Sequence, residues 1–335
     1  MTPRAGGAGP GSRPATIIDV AEAAGVSRQT VTRAMNDMPG IKVATKERVL
    51  AAAKELAYRP SRFGRGLVGH TQRTVGLVVD DLMNPYYPQL ASAVVSSARD
   101  RGWNVILAQT AKAADQYSLI ADLAKQADVV IGYPALTDTQ AQEVLAGVPF
   151  VRIDMGEYTY GGGVEMEVDD AMGDLADHLL ERGSQRPVLL DVGLPGFPSA
   201  RGQSFLTAMA DRGVRVPTVT AASKSLSSGV AGGNALLAAH PDVDAIMTFN
   251  DIVACGALKA LHEAGVDVPG RVRLAGCDGL NLGRFVSPEL TTLAVDMNAV
   301  AESAVGMALG MYDGEVPLQG VRARVAHHLL VRAST

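Results

Sequence analysis

The chain has 335 residues, 47% of them hydrophobic, a length that suggests about two or three domains with ample apolar material for a core. No run of about 18 or more apolar residues occurs, which excludes a transmembrane helix. The net charge of −5 hides an asymmetry: residues 1–73 hold 12 Lys/Arg against 5 Asp/Glu, a surplus of +7 that leaves −12 for the remainder, and a basic head on an acidic body is the footprint of a nucleic-acid-binding domain joined to something else.

Residues 1–14 are rich in Gly and Pro and carry no apolar h-region. They read as a disordered lead-in and not as a secretory signal. The stretch 16–36, T-I-I-D-V-A-E-A-A-G-V-S-R-Q-T-V-T-R-A-M-N, reads as two short helices joined by a tight turn. Thr16 can cap the first helix, with Asp19 three residues on. Val20, Ala21 and Ala24 share one face, and Ala21 is small enough for a second helix to cross closely. Gly25 sits where the turn needs a positive φ, and Val26 anchors that turn. Ser27 is a good N-cap for the second helix. Val31 and Ala34 face back to the first helix, which leaves Arg28, Gln29, Thr32 and Arg33 outward. This is a helix-turn-helix pattern, whose second helix lies in the DNA major groove. Arg reads guanine bidentately, Gln can read adenine, and Thr can bond a phosphate. The plainer alternative is a helical hairpin with a polar surface.

The segment N-D-M-P-G is a turn. Residues 44–58 read as a third helix with Thr45 as its N-cap, and Val49, Ala52, Ala53 and Leu56 close a small three-helix core. Arg59-Pro60 ends it, because the residue before Pro avoids the α region. Residues 60–72 are basic and Gly-rich: either a flexible linker or a segment that becomes helical only on DNA.

From Arg73 short apolar runs alternate with helical stretches. Strands are expected over 75–79, 105–108, 129–131 and 150–153, with helices over 86–101, 116–126 and 139–146 between them. The alternation then restarts. Helices fall at 170–182, 199–212, 229–239, 251–264 and 298–312, and strands at 188–192, near 218, at 245–248, 272–276 and 321–331. The class is α/β, with parallel sheets covered by helices on both faces. Two such units in series predict two lobes with a cleft between them, and ligands in such sheets bind outside the carboxyl ends of the strands. Gly161-Gly162-Gly163 matches neither a P-loop nor a dinucleotide fingerprint and reads as a loop. His327-His328 has no partner cluster and reads as sheet surface, not a metal site. Cys255 and Cys277 lie in apolar surroundings and fit no disulfide or metal spacing, in agreement with a reducing cytoplasm.

The stretch D-V-A-E-A-A-G-V-S-R-Q-T-V-T-R-A-M-N, followed by T-K-E-R-V-L-A-A-A-K-E-L-A-Y-R-P, then V-G-L-V-V-D-D-L-M-N-P-Y-Y, F-N-D, A-G-C-D and P-E-L-T-T-L, resembles the lac-repressor (LacI/GalR) family of transcriptional regulators over essentially the whole chain from Ala15. The resemblance implies a homodimer. Each subunit then has an N-terminal three-helix helix-turn-helix headpiece (15–59), a hinge (60–72), and a two-lobed core like a periplasmic sugar-binding protein (73–335). The lobes are expected at about 73–160 plus 297–320 and at about 161–296 plus 321–332. Base-reading positions fall on Arg28, Gln29 and Arg33. The wider DNA-contacting set is Thr16, Ser27, Thr30, Thr32, Asn36, Lys42, Tyr58 and Arg62, and the minor-groove wedge is Leu67. For the effector the resemblance implies Asp80, Tyr86, Tyr87, Asp154, Arg201, Asn250 and Asp278.

Several positions depart from the family's pattern. Gly64 and Gly66 disfavour a hinge helix by roughly 1 kcal/mol each against Ala, so it is expected to be absent without DNA. Lys42 replaces a residue that often caps or binds phosphate, Cys277 a common Tyr or Phe, and Ser204 a common Gly. Lys224 and Leu226 straddle the place of a ligand-stacking aromatic. No leucine heptads follow the last strand, so a dimer is expected and not a tetramer. No catalytic elbow, metal motif or cofactor motif occurs. The expected function is a sequence-specific cytoplasmic repressor of a pseudo-palindromic operator. It is gated by a small ligand of sugar or nucleoside class and needs neither cofactor nor membrane. The alternatives are a two-lobed binding protein without transcriptional gating, or a constitutive DNA binder that has lost its effector.

Overall fold

The computed structural model describes residues 17–35, 38, 40–56, 73–111, 113–145, 147–154, 156, 158–194 and 196–335, apart from the Lys54 side chain. Two compact units meet in the chain at Gln72/Arg73. Thr16, Asn36, Tyr58, Arg62, Leu67 and the glycines of the hinge lie outside the described residues.

The first unit contains α1 (Ile17–Ala23), α2 (Arg28–Met35) and α3 (Val43–Glu55). Its small core joins Val20, Ala21 and Ala24 to Val31, Ala34, Val49, Ala52 and Ala53, the periodic positions of the sequence. Gly25 turns the chain at φ +62. Arg48 Nε donates to the Ala24 carbonyl at 3.0 Å, which ties α3 to the end of α1. The third helix begins earlier than expected. The Thr45 and Lys46 N–H groups both donate to the Lys42 carbonyl, so Thr45 lies inside the first turn and Lys42 precedes the helix without a side-chain cap to offer.

The second unit is a doubly wound α/β body. Its first sheet contains β1 (Thr74–Val79), β2 (Asn104–Gln109), β3 (Val129–Gly132), β4 (Phe150–Ile153) and β5 (Gly162–Glu167). Its second contains β6 (Pro187–Asp191), β7 (Thr218–Thr220), β8 (Ala245–Thr248), β9 (Arg273–Asp278) and β10 (Thr291–Val295). The last strand, β11 (Arg322–Leu330), belongs to both. Residues 322–326 pair in parallel with β5, and residues 327–330 pair antiparallel with β10. The order across the whole is β2-β1-β3-β4-β5-β11-β10-β9-β8-β6-β7.

Helices cover both faces of each sheet. On the first, α4 (Tyr86–Asp100) and α11 (Met297–Asp313) pack on one side. On the other lie α5 (Gln116–Ala124) and α6 (Asp138–Val144). On the second, α7 (Asp169–Glu181) and α8 (Ala200–Asp211) oppose α9 (Leu226–Ala239) and α10 (Asp251–Glu263). No helix among the described residues is long and apolar enough to cross a membrane.

Three expectations need correction. Residues 162 and 163 open a strand and not a loop. The Met307 sulfur and Met311 methyl of α11 lie 2.5 and 2.6 Å from where a Cβ on Gly162 would stand, so the glycine lets α11 pack close on β5. Consequently β5 and residues 322–326 belong to the first lobe, and the chain crosses between lobes after Glu167, near Asp296 and inside β11. The sheets are also not wholly parallel, because the β10–β11 pair is antiparallel.

Helices α9 and α10 approach closely through glycines. A Cβ on Gly256 of α10 would stand 2.2 Å from the Leu226 carbonyl oxygen and 2.7 Å from Gly229 Cα on α9. These are backbone atoms that cannot rotate away. Gly256→Val is expected to destabilise the second unit by about 1–3 kcal/mol, read as a lowered thermal midpoint with the headpiece's own unfolding unchanged.

Candidate functional site

The exposed side of α2 is one candidate surface. Ser27 accepts the Thr30 N–H at 3.2 Å and starts the helix. Thr32 returns its hydroxyl to the Arg28 carbonyl at 3.1 Å. Val31 and Ala34 are buried, whereas Arg28, Gln29 and Arg33 are exposed, with Thr30 and Thr32 half-buried beside them. Lys42, just before α3, is exposed too. Two guanidinium groups and an amide thus stand on one side of a short helix, in the arrangement that meets base edges and phosphates.

The second candidate lies at the carboxyl ends of the core strands, where the two lobes face each other across a cavity of about 200 Å³. Of the seven effector positions expected, Tyr86, Tyr87, Asp154, Arg201, Asn250 and Asp278 line it. Asp80 does not. It ends β1, its carbonyl accepts the Ala111 N–H at 2.8 Å, and Asn84 from the following turn lines the cavity instead.

The first lobe contributes a wall of three tyrosines. Tyr86, Tyr87 and Tyr133 meet edge to face with ring centroids 5.2, 6.0 and 5.6 Å apart, and the Tyr86 and Tyr133 hydroxyls share a hydrogen bond. Burial raises the phenol pKa of all three, so they remain neutral donors. For Tyr87, nearby Asp80 adds to that shift. Asp154 follows β4 at φ +56, in the left-handed region.

The second lobe contributes charge. Arg201, in the first turn of α8, donates from Nη1 to Asp278 Oδ1 at 2.7 Å, and both side chains are largely buried. Burial pushes the Asp278 carboxyl up, while Arg201 pulls it down. Burial also acts against the Arg201 charge, but the nearby Asp278 and Asp154 carboxyls and the hydrogen bond to Asp278 favour it, so the guanidinium stays protonated. Asn250 spends its Oδ1 capping α10 at the Val253 N–H, 2.9 Å away, which leaves its amide N–H₂ as a donor. Phe249 is the aromatic of this lobe. Arg201 Cζ and Lys224 Nζ each lie 5.5 Å from its ring centroid, a cation–π spacing. Lys224 lines the cavity beside the place where the family's pattern allows an aromatic, and Phe249 supplies a ring from β8's end.

Asp278 owes its position to a residue the sequence did not single out. Its φ is +122, a conformation a side chain adopts only when its surroundings enforce it. Asp251 supplies that enforcement. Its carboxylate accepts the Leu280 N–H at 2.7 Å and the Thr292 hydroxyl at 2.6 Å, fixing the chain just past Asp278. Asp251 is fully buried, and burial with nearby Asp278 pushes its pKa up to about 8. Asp191 does similar work at Arg201's side, accepting the Val192 and Ser199 N–H groups and the Ser199 hydroxyl at 2.7–2.8 Å. His327 is not sheet surface: it is buried on β11, with Nδ1 2.9 Å from the Glu167 carbonyl. No metal-binding group of His, Cys, Asp and Glu occurs among the described residues. Both cysteines are buried free thiols, raised to about 11 and about 12 by burial.

Comparison with known proteins fits both surfaces. Residues 16–61 match the bacterial regulatory proteins of the lacI family, and residues 176–335 a periplasmic binding protein-like domain. A ribose operon repressor of Halalkalibacterium halodurans is 30% identical over 324 residues, covering 96% of this chain and 97% of its own. The chain belongs to the LacI family of bacterial regulatory proteins. Among solved structures, a LacI family transcriptional regulator from Arthrobacter sp. FB24 in complex with lactose is 32% identical, with a TM-score of 0.75, over 79% of this chain and all of its own. The lac repressor dimer bound to operator and an anti-inducer is 25% identical, with a TM-score of 0.73, over 96% of this chain and 99% of its own. As a LacI-family member the chain is a DNA-binding transcriptional repressor that responds to a small molecule, and not an enzyme.

The raised Asp251 pKa has a sign. Between the unfolded carboxylate value and about 8, the folded state binds a proton that the unfolded state has released. Stability therefore falls as pH rises through that window. Asp251→Asn, which mimics the protonated acid, is expected to flatten the decline of thermal midpoint between pH 5 and pH 8. An unchanged slope would assign the pH dependence to other groups.

Proposed function

We propose that this LacI-family chain is a cytoplasmic homodimeric repressor. Its α2 helices read the half-sites of a pseudo-palindromic operator, and its interlobe cavity binds a sugar. The observation that carries the reading is the convergence of Tyr86, Tyr87 and Asp154 from one lobe with Arg201, Asn250 and Asp278 from the other on a single cavity. The set offers amide and guanidinium donors, carboxylate acceptors and aromatic edges, the complement of a hydroxyl-bearing ring with one less polar face. The ribose operon repressor and the lactose-bound regulator among its relatives support a sugar over a nucleoside.

In this reading Arg28, Gln29 and Arg33 meet bases. Ser27, Thr30, Thr32 and Lys42 meet the backbone, together with Thr16, Asn36, Tyr58 and Arg62. The hinge 60–72 folds on the operator, with Leu67 entering the minor groove. A ligand touching both lobes favours one lobe arrangement, and that preference, typically about 1–3 kcal/mol, is what reaches the hinge.

Two substitutions test the two ends. Arg33→Ala is expected to remove about 1–3 kcal/mol of discrimination between operator and scrambled DNA, leaving salt-sensitive non-specific binding in fluorescence anisotropy. Retained discrimination would move base reading off α2. Asp278→Asn is expected to weaken sugar binding by roughly 10–100-fold, the loss of a charge-assisted hydrogen bond, with operator affinity unchanged. An undiminished sugar response would place the ligand elsewhere.

A further inference from the structure

The second unit begins at Arg73, the residue to which the hinge is joined, and that residue is held on several sides. Its carbonyl accepts the Asn104 N–H at 2.9 Å, at the start of β2. The next residue, Thr74, donates its N–H to Asp128 Oδ2 at 2.7 Å. The Arg73 guanidinium carbon lies 5.5 Å from the Trp103 ring centroid and 5.2 Å from that of Tyr312, a cation–π spacing to both rings. Its Nη1 stands 3.6 Å from Asp313 Oδ1. The two rings meet edge to face, 5.1 Å apart.

The groups that hold Arg73 are themselves fixed. Trp103, the chain's one tryptophan, is buried. It follows α4, where Gly102 turns the chain at φ +77 and the Trp103 N–H donates to the Ala98 carbonyl at 2.9 Å. Tyr312 and Asp313 end α11, a helix of 17 residues packed in the main core of the first lobe. Its other end is capped by Asp296, where the chain crosses between the lobes. Arg73 and Asp313 are both about half-exposed, and an ion pair in that setting adds little to stability. The clamp lies at the rim of a lobe whose core is complete without it. What distinguishes it is its place, at the residue where the DNA-reading part of the chain is attached.

We propose that Arg73 is a positioning residue for operator binding. The clamp fixes the end of residues 60–72 that joins the first lobe, so these residues have less freedom to lose when they order on the operator. The inference rests on the reading of that segment as one that folds on DNA. It goes beyond that reading by assigning the anchor to Arg73, Trp103, Tyr312 and Asp313. It also separates Arg73 from the cations of the headpiece: the Arg73 charge is committed to two rings and a carboxylate, and not to phosphate.

The test is fluorescence anisotropy of the full chain, over a range of salt, on a duplex that this chain selects from a random-sequence library and on a scrambled duplex. Arg73→Ala and Tyr312→Leu are each expected to weaken binding to the selected duplex by roughly tenfold. Binding to the scrambled duplex and the thermal midpoint of the second unit are expected to stay unchanged. Arg73→Lys, which keeps the cation, should recover part of the loss. Positioning leaves the number of phosphate contacts alone, so the slope of log affinity against log salt stays that of the parent chain in both variants. An arginine that met phosphate would lower that slope by about one. Trp103 emission reads the clamp itself and is expected to shift in both variants without DNA. Full affinity in Tyr312→Leu, a loss shared equally by the scrambled duplex, a salt slope reduced by about one in Arg73→Ala, or unshifted emission overturns the positioning role while base reading by α2 stands. Selection of no duplex by the parent chain overturns both.

Discussion

The buried pairing of Arg201 with Asp278 is the interaction around which the core is arranged. Removing either charge from water costs several kcal/mol, and only close, well-oriented pairing offsets it. At 2.7 Å the geometry is that of a charge-assisted bond. It also requires an aspartate at φ +122. Asp251 holds the following turn through Leu280 and Thr292, and Asp191 fixes the start of α8 through Ser199. Two buried carboxyl groups that touch no proposed ligand atom therefore determine where the pair stands. A ligand that meets the pair meets a rigid surface, which limits the ordering that binding requires.

The two lobes are joined by an unusual economy of strands. β11 pairs with β5 over its first half and with β10 over its second, so the same strand is an edge of both sheets. Rotation of one lobe against the other must be absorbed where that pairing changes, between Ala326 and His327. His327 is buried at this point and bonded to Glu167, the last residue of β5 before the chain crosses over. The junction that permits lobe motion thus lies along a cavity lined also by Asp154 and Arg201.

Much of this was legible from local pattern. The headpiece needed only helical spacing, Gly25 and Ser27, because its core is made of neighbours in sequence. The alternation of apolar runs and amphipathic stretches placed most strands to within a few residues, because a buried parallel strand is apolar throughout. What escaped depends on contacts distant in sequence. Gly162 and Gly163 look like a loop until Met307 and Met311 are seen packed over the strand. Tyr133 and Phe249 are ordinary strand-end aromatics until the sheets bring them opposite each other. His327 reads as surface, but it lies on the same inward face of the alternating strand as Ala323 and Val325, beneath the two sheets that β11 joins. Asp80 sits at a strand end, the position that marks ligand contacts elsewhere in the core, yet the turn that follows presents Asn84 in its place. Asp251 was hidden by its motif: F-N-D draws attention to Asn250, whereas the aspartate beside it holds Asp278 in position.

Lys224 and Phe249 show how the chain's departures from its family can be read together. An aromatic near 224–226 would stack on a ligand from the second lobe. Here Lys224, beside that position, and Arg201 each lie over the ring of Phe249. The aromatic lining of the second lobe thus comes from the end of β8, where Phe249 stands, and not from the loop before α9. Phe249 on one lobe and Tyr86, Tyr87 and Tyr133 on the other line the same cavity. Because those aromatics belong to different lobes, their separation varies with lobe angle. The affinity for an apolar ring face depends on that separation in a way that hydrogen bonds within one lobe do not. It is this difference in affinity between lobe arrangements, and not the strength of binding in either, that a DNA-binding headpiece can use.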